Sequence, residues 1–182
     1  MKKKIYIGLA VLGVILVGVF LYGTLVVAKK SPIKTTSYND KGVDIKVVYC
    51  QPYKKGRLIF GDEMDGALQP YGKYWRLGAN AATEITFSKN INFAGKPINA
   101  GTYRMYAVPG PTSFQVSLNS ELEVYFGVNE PDYTKDVIKV DLPTEPTDET
   151  EQFVINFSSD STAVNMDFIW DKTKVRVPIT IQ

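Results

Sequence analysis

The sequence predicts an all-β domain, either an antiparallel β-sandwich or a barrel-like structure, preceded by one N-terminal transmembrane helix. Two observations support this prediction. An uncharged apolar run covers residues 5–28 and has lysines on both sides. Beyond residue 43, apolar and polar residues alternate with a period of two in short segments that turn-forming residues separate. This period is typical of strands with one buried and one solvated face, which antiparallel sheets provide.

The N-terminal apolar run contains 24 residues. A helix rises about 1.5 Å per residue, so the run would reach roughly 36 Å and cross a hydrocarbon core of about 30 Å. The alternative is a cleaved signal peptide, with Val26-Val27-Ala28 as a weak cleavage site. The apolar part of a signal peptide has only about 7–15 residues, however. We therefore expect residues 1–30 to be a retained membrane anchor that contacts lipid through residues 5–28.

Basic residues on either side of the anchor predict its orientation. Three lysines and the terminal amine precede the run, and Lys29, Lys30 and Lys34 follow it. The positive-inside rule then slightly favours a cytoplasmic N-terminus. We expect a single-pass protein of the cell membrane, with a short polar stalk at residues 31–43 and a β domain at residues 44–182 on the extracytoplasmic side.

Six segments of the β domain show clear alternation and predict about nine strands in all. Turn-forming pairs such as Gly95-Lys96 and Pro109-Gly110 separate several of them, as in a sandwich or barrel. The apolar members of the six segments are Ile45, Val47 and Tyr49; Phe114, Val116 and Leu118; Ile138, Val140 and Leu142; Phe153, Ile155 and Phe157; Val164, Met166, Phe168 and Trp170; and Val175, Val177, Ile179 and Ile181.

Composition excludes several classes of function. Residues 31–182 carry 16 basic and 19 acidic side chains, a balance unsuited to neutralising nucleic-acid phosphates. The chain has no histidine, which excludes Ser-His-Asp and Cys-His catalysis and histidine-ligated zinc. A single cysteine, Cys50, excludes an internal disulfide and multi-cysteine metal sites. Acidic stretches at residues 61–66 and 144–151 lack the spacing of a calcium loop, so we expect solvated loops, no metal and no cofactor.

Residues 49–88 differ from ordinary strand-and-turn sequence because aromatic, cationic and amide side chains are concentrated there. The run contains Tyr49-Cys50-Gln51-Pro52, then Lys55-Gly56-Arg57-Leu58-Ile59-Phe60-Gly61, then Pro70-Tyr71-Gly72-Lys73-Tyr74-Trp75-Arg76-Leu77-Gly78-Ala79-Asn80, and then Ala82-Thr83-Glu84-Ile85. This composite motif resembles that of the bacterial exported domain-of-unknown-function family 2911. The resemblance extends over roughly residues 40–180, and it implies an exported or surface β domain without an assigned reaction. One departure is Ala81, where many relatives carry glutamate.

The same stretch supplies the candidate ligand-binding residues. If residues 74–78 and 84–88 paired as neighbouring strands, Arg76 and Glu84 would come within reach of each other. Arginine suits bidentate contact with an anion, and Trp75 or Tyr71 suits stacking on a sugar-like ligand. The competing interpretation is a buried Arg–Glu pair that stabilises strand register, with the aromatic side chains in the core. The full candidate set is Arg57, Lys73, Trp75, Arg76, Asn80 and Glu84.

Three functions remain open at this level. We favour a tethered module that binds a small anionic or sugar-like ligand or an envelope protein. The alternative is a carboxylate-dependent envelope hydrolase of a glycan or lipid-derived substrate, in which Glu84 would work with Asp62 or Asp65. The third is a structural element of an envelope complex. Cys50 has basic neighbours in sequence but no general base to activate its thiol. We therefore expect Cys50 to be buried and to pack as a small hydrophobic side chain.

Overall fold

The computed structural model describes residues 2–22, 31–122, 124 and 127–182. Its N-terminal helix, α1, covers Lys2–Tyr22. No helix within these described ranges is long and apolar enough to cross a membrane. Of the 24 residues predicted to span the membrane, the described helix contains 18, residues 5–22. The predicted span over residues 5–28 is therefore not supported, and its last six residues lie outside the described ones.

The remainder of the described chain is mostly β, as the sequence predicts. Eleven strands are present among the described residues: β1 Ile33–Asp40, β2 Val43–Cys50, β3 Phe60–Gly61, β4 Gln69–Pro70, β5 Thr83–Phe87, β6 Ile91–Phe93, β7 Lys96–Ile98, β8 Gly101–Val108, β9 Ser113–Asn119, β10 Asp136–Ser159 and β11 Val164–Ile181. Two short 3-10 turns cover Glu63–Asp65 and Tyr133–Lys135.

Nine of these strands form one antiparallel sheet in the order β1-β2-β5-β8-β9-β10-β11-β6-β7, while β3 and β4 form a separate parallel pair. The sheet is continuous because β10 is long enough to pair twice. Its first part, residues 136–143, pairs with β9, and its later part, residues 144–159, pairs with β11. Register shifts near Pro146 and Thr150 bend this second ladder. The acidic segment 144–151, predicted as a loop, is thus part of β10.

Residues 33–40 lie in the predicted stalk and yet form a strand, β1. This strand pairs with β2 along its whole length, from Ile33 opposite Cys50 to Asp40 opposite Val43. Most of its side chains are exposed, and β1 lies at the edge of the sheet. An exposed edge strand needs no buried face, so its sequence lacks the alternation that identifies the central strands.

The core lies on the inner face of the sheet. Alternate residues of β2 are buried, as the period of two predicts, and the same holds for β5. An aromatic cluster around Trp75 fills one end of the core, with ring centroids 5.0 Å from Phe153, 5.3 Å from Phe60 and 5.9 Å from Trp170. Two members of this cluster, Trp75 and Trp170, also line the pocket described next.

Candidate ligand-binding pocket

A cavity of about 590 Å³ opens beside the aromatic cluster. Its walls come from three chain segments: residues 52–57 after β2, residues 68–69 at β4, and residues 74–80 before β5, with Ser31 and Trp170 completing the lining. The first segment is held in place by β10, because Lys54 N donates to Glu151 O at 2.6 Å and Phe153 N donates to Pro52 O at 2.9 Å. The polar and aromatic lining residues are Ser31, Tyr53, Lys55, Arg57, Gln69, Tyr74, Trp75, Arg76, Asn80 and Trp170.

The structure brings four of the six candidate residues to this cavity: Arg57, Trp75, Arg76 and Asn80 line it. Lys73 does not; its side chain is exposed, and its Nζ lies 3.3 Å from Glu63 Oε2. Glu84 does not line the cavity either. Trp75 is only 2 % exposed, so its ring is a core side chain with little surface available for stacking on a ligand.

The predicted pairing of residues 74–78 with 84–88 is wrong. Strand β5 lies between β2 and β8, with Glu84 opposite Val48 on one side and Arg104 on the other. Trp75 instead pairs with Ala107 of β8 through two backbone hydrogen bonds of 2.8 Å. It therefore lies on the same edge of β8 as β5. Neither β2 nor β8 is next to β5 along the chain, so the sequence of residues 74–88 could not identify them as its partners.

The connection from Trp75 to β5 is a compact turn with unusual backbone angles. Leu77 and Asn80 have φ values of 51° and 58°, which non-glycine residues rarely adopt. The turn is held by Thr83 Oγ1, which donates to Leu77 O at 2.7 Å, and by Arg76 Nη1, which donates to Asn80 O at 3.2 Å. These bonds orient Arg76 and Asn80 at the cavity wall.

Three cations line the pocket: Lys55, Arg57 and Arg76. None of them has a carboxylate within ion-pair distance among the described residues. No described acidic side chain lines the cavity either. Burial lowers the pKa of Arg76 from its usual value, and the neighbouring Arg104 acts in the same direction. Arginine nevertheless stays protonated, so Arg76 is a half-buried charge that no described carboxylate pairs with.

The sequence of this domain matches one family of known proteins. A family described as "Protein of unknown function (DUF2911)" matches residues 31–179. The chain belongs to this family. No significant match was found among curated proteins or among solved structures. The DUF2911 match covers every lining residue of the pocket and gives no activity, while bacterial origin and export remain predictions.

Cys50 of the DUF2911 domain lies at the end of β2, close to the pocket, and is buried. Burial raises the pKa of its thiol, although hydrogen bonds with the Ala81 backbone and the Asn80 side chain and the charge of Arg76 oppose this increase. A raised pKa keeps the thiol protonated and unreactive at neutral pH. Cys50 is therefore a poor nucleophile in this setting.

A buried arginine that the sequence analysis did not identify, Arg104, contacts the pocket residue Tyr74. Arg104 of β8 is 2 % exposed. Its Nη1 lies 2.8 Å from Glu121 Oε2, and its Nη2 donates to Tyr74 Oη at 2.7 Å and to Asn129 O at 2.8 Å. Tyr74 lines the pocket, so Arg104 positions one of its walls. The alternation of β8 places Arg104 on the outer face, where the sequence suggests solvent; only the folded chain shows what covers it.

Metal binding has no evident site in the described ranges. No group of three or more Cys, Asp or Glu side chains there could hold an ion. Two carboxylates pair with Lys54, which lies beside the lining residue Lys55: Lys54 Nζ is 2.6 Å from Glu149 Oε1 and 2.7 Å from Asp171 Oδ1. The chemistry available at the cavity is thus electrostatic attraction, hydrogen bonding and contact with aromatic side chains.

Proposed function

We propose that this DUF2911 domain is a binding module that holds a small anionic, sugar-like ligand in the pocket beside Trp75. The observation that carries the proposal is the set of three lining cations, Lys55, Arg57 and Arg76, which have no carboxylate partner among the described residues. A half-buried charge without a partner costs folding free energy. An anionic ligand would remove that cost, because it supplies the missing countercharge.

The remaining lining residues suit a polar ligand of small size. Gln69 and Asn80 offer amide donors and acceptors for hydroxyl groups, and Tyr53 and Tyr74 contribute aromatic surface. Arg76 presents a planar guanidinium that can bind an oxyanion through two parallel hydrogen bonds. The cavity volume of about 590 Å³ is within the range of small-molecule sites, about 300–1,000 Å³.

The pocket offers no support for the alternative of a carboxylate-dependent hydrolase. That reaction needs two carboxyl groups about 5–9.5 Å apart in one cleft. Glu84, Asp62 and Asp65 do not line the cavity. Asp62 and Asp65 instead flank or belong to the 3-10 turn Glu63–Asp65 and are exposed. Binding without catalysis is the function that the cavity favours.

Substitution of Arg76 tests the binding proposal. We expect glucose 6-phosphate or glucuronate to raise the melting temperature of the full chain, purified in mild detergent, in a saturable way. Arg76→Gln should weaken this binding by about 10- to 100-fold, since a hydrogen bond to a charged group contributes about 1.5–3 kcal/mol. Without ligand, Arg76→Gln should change the free energy of unfolding by less than about 1 kcal/mol, because the lost hydrogen bond to Asn80 O and the removal of an unpaired charge act in opposite directions.

The matched control is Lys46→Gln, which removes an exposed cation of β2 that does not line the pocket. It should leave the response to ligand unchanged. Absence of any saturable shift with either anion, or an equal shift in Arg76→Gln and the parent, would remove the proposal.

We also propose that residues 5–28 attach the domain to lipid, with the β domain on the extracytoplasmic side of the cell membrane. The support is the apolar sequence and the exposure of apolar side chains along α1, such as Val14 at 73 % and Tyr6 at 67 %. Exposed apolar surface of this kind is costly in water. We expect the chain to stay in the membrane pellet after an alkaline wash. Recovery of the chain with its N-terminus intact in the aqueous fraction would contradict attachment.

A further inference from the structure

We infer that the natural ligand of this pocket carries more than one negative charge on a single group, as a phosphate monoester does, attached to a sugar or other polyol body. This inference rests on the proposed binding function and narrows its ligand class. The juxtaposition that carries it is the grouping of Lys55, Arg57 and Arg76 around one cavity that no described acidic side chain lines.

The first argument is a balance of charge. A monocarboxylate would neutralise one of the three cations and leave two in the lining without a countercharge. A phosphate monoester carries about −1.5 to −2 near pH 7 and offers three acceptor oxygens, so it matches the cationic lining more closely. Like charges that stay uncompensated in a confined site repel each other, and a multiply charged ligand relieves this repulsion.

The second argument concerns the acids that lie beside the pocket segment. Lys54, the residue before Lys55, pairs with both Glu149 and Asp171 at 2.6 and 2.7 Å. The Glu151 carboxylate accepts a hydrogen bond from the backbone N–H of Lys55 at 2.9 Å. These acids are therefore engaged with Lys54 and with the backbone. The side chains of Lys55 and Arg57 keep their charge available to the cavity.

The third argument is the distribution of the cations between interior and rim. Arg76 is half-buried, whereas Lys55 and Arg57 are exposed. Arg57 is braced by the backbone, because its Nε donates to Lys54 O at 2.9 Å and its Nη2 donates to Tyr53 O at 2.5 Å. Its remaining N–H groups can still donate. A half-buried guanidinium and two exposed cations in one lining suit a single phosphate group, because its three acceptor oxygens can be shared among them.

A phosphorylated polyol could reach this pocket from two sources, as a soluble sugar phosphate or as the phosphorylated headgroup of a lipid. Both present the same chemistry to the cations. Titration calorimetry on the full chain in detergent distinguishes them with five probes: glucose 6-phosphate, glucuronate, inorganic phosphate, dioctanoyl phosphatidylinositol 4-phosphate and dioctanoyl phosphatidylcholine. If glucose 6-phosphate binds and the inositol lipid does not, the source is a soluble sugar phosphate. If the inositol lipid binds and phosphatidylcholine does not, the source is a lipid headgroup.

We expect at least one phosphorylated polyol to bind about tenfold or more tightly than glucuronate, which corresponds to about 1.4 kcal/mol. Arg57→Gln and Lys55→Gln should each reduce this ratio, and Lys46→Gln should leave it unchanged. Retention of the near-ultraviolet circular dichroism spectrum would show that each variant is folded. If Arg57→Gln does not fold, Lys55→Gln, at an exposed position, tests the same expectation.

The outcomes separate this inference from the proposed function. Equal affinity for glucuronate and for the phosphorylated polyols, with both lost in Arg76→Gln, would overturn the inference and leave an anion-binding module. Binding of inorganic phosphate as tight as that of the polyol phosphates would overturn the polyol part of the inference. Failure of every anion to bind the folded parent would overturn both.

Discussion

Replacing Gly78 with alanine is expected to lower the free energy of unfolding by about 2–4 kcal/mol. Gly78 has a φ of 152°, a conformation that residues with a Cβ rarely adopt. An added Cβ would also lie 2.7 Å from the carbonyl oxygen of Cys50. That oxygen belongs to the backbone at the end of β2, so it cannot move without displacing the strand. Urea denaturation of the two proteins measures the loss.

Gly66→Ala is the matched control. Gly66 also has a positive φ, 73°, but an added Cβ would have nothing within 4 Å. Its cost should be limited to the left-handed backbone, about 1–2 kcal/mol. Gly78→Ala should exceed it by at least about 1 kcal/mol, since only that variant adds a steric clash. Equal losses in the two variants would show that the close approach of Gly78 to Cys50 is not a tight contact.

Arg104→Met should be the most damaging single substitution on the outer face of the sheet, with an expected loss of about 3–5 kcal/mol. Methionine would fill much of the space of the aliphatic stem but would remove the cationic partner of Glu121 and the Arg104 donor to Tyr74 Oη and to the Asn129 carbonyl. A buried polar group that loses its partner retains its full desolvation cost. Chemical denaturation measures this effect, and the loss of support for Tyr74 should also weaken ligand binding.

Two comparisons isolate the cause. Lys135→Met removes a cation of an exposed pair, with Nζ 3.7 Å from Asp132 Oδ2, and should change stability by less than about 1 kcal/mol. Adding Glu121→Gln to Arg104→Met should cost less than the sum of the two single losses, because the second substitution removes a charge that the first has already left unpaired. Strict additivity would indicate that Arg104 and Glu121 do not interact in solution.

The candidate site was predictable in part because much of it lies in one stretch of chain. Arg57, Trp75, Arg76 and Asn80 could be grouped by composition, and the structure places all four around one cavity. Glu84 could not be placed correctly, because its position depends on strands β2 and β8 on either side of β5. Trp170 is distant in sequence from this stretch, and it reaches the cavity only because β11 packs there.

Sequence alone determined which residues face the core, as in Ile45 and Val47 of β2, because a strand has a period of two whatever its neighbours are. It also determined the cationic character of the stretch around the pocket. Tertiary structure alone decided which cations have partners: Lys54 pairs with Glu149 and Asp171, whereas Arg76 has no carboxylate within reach among the described residues. The physical reason is that ion pairing acts over a few ångströms in space, and strand pairing between distant segments determines which charges come that close.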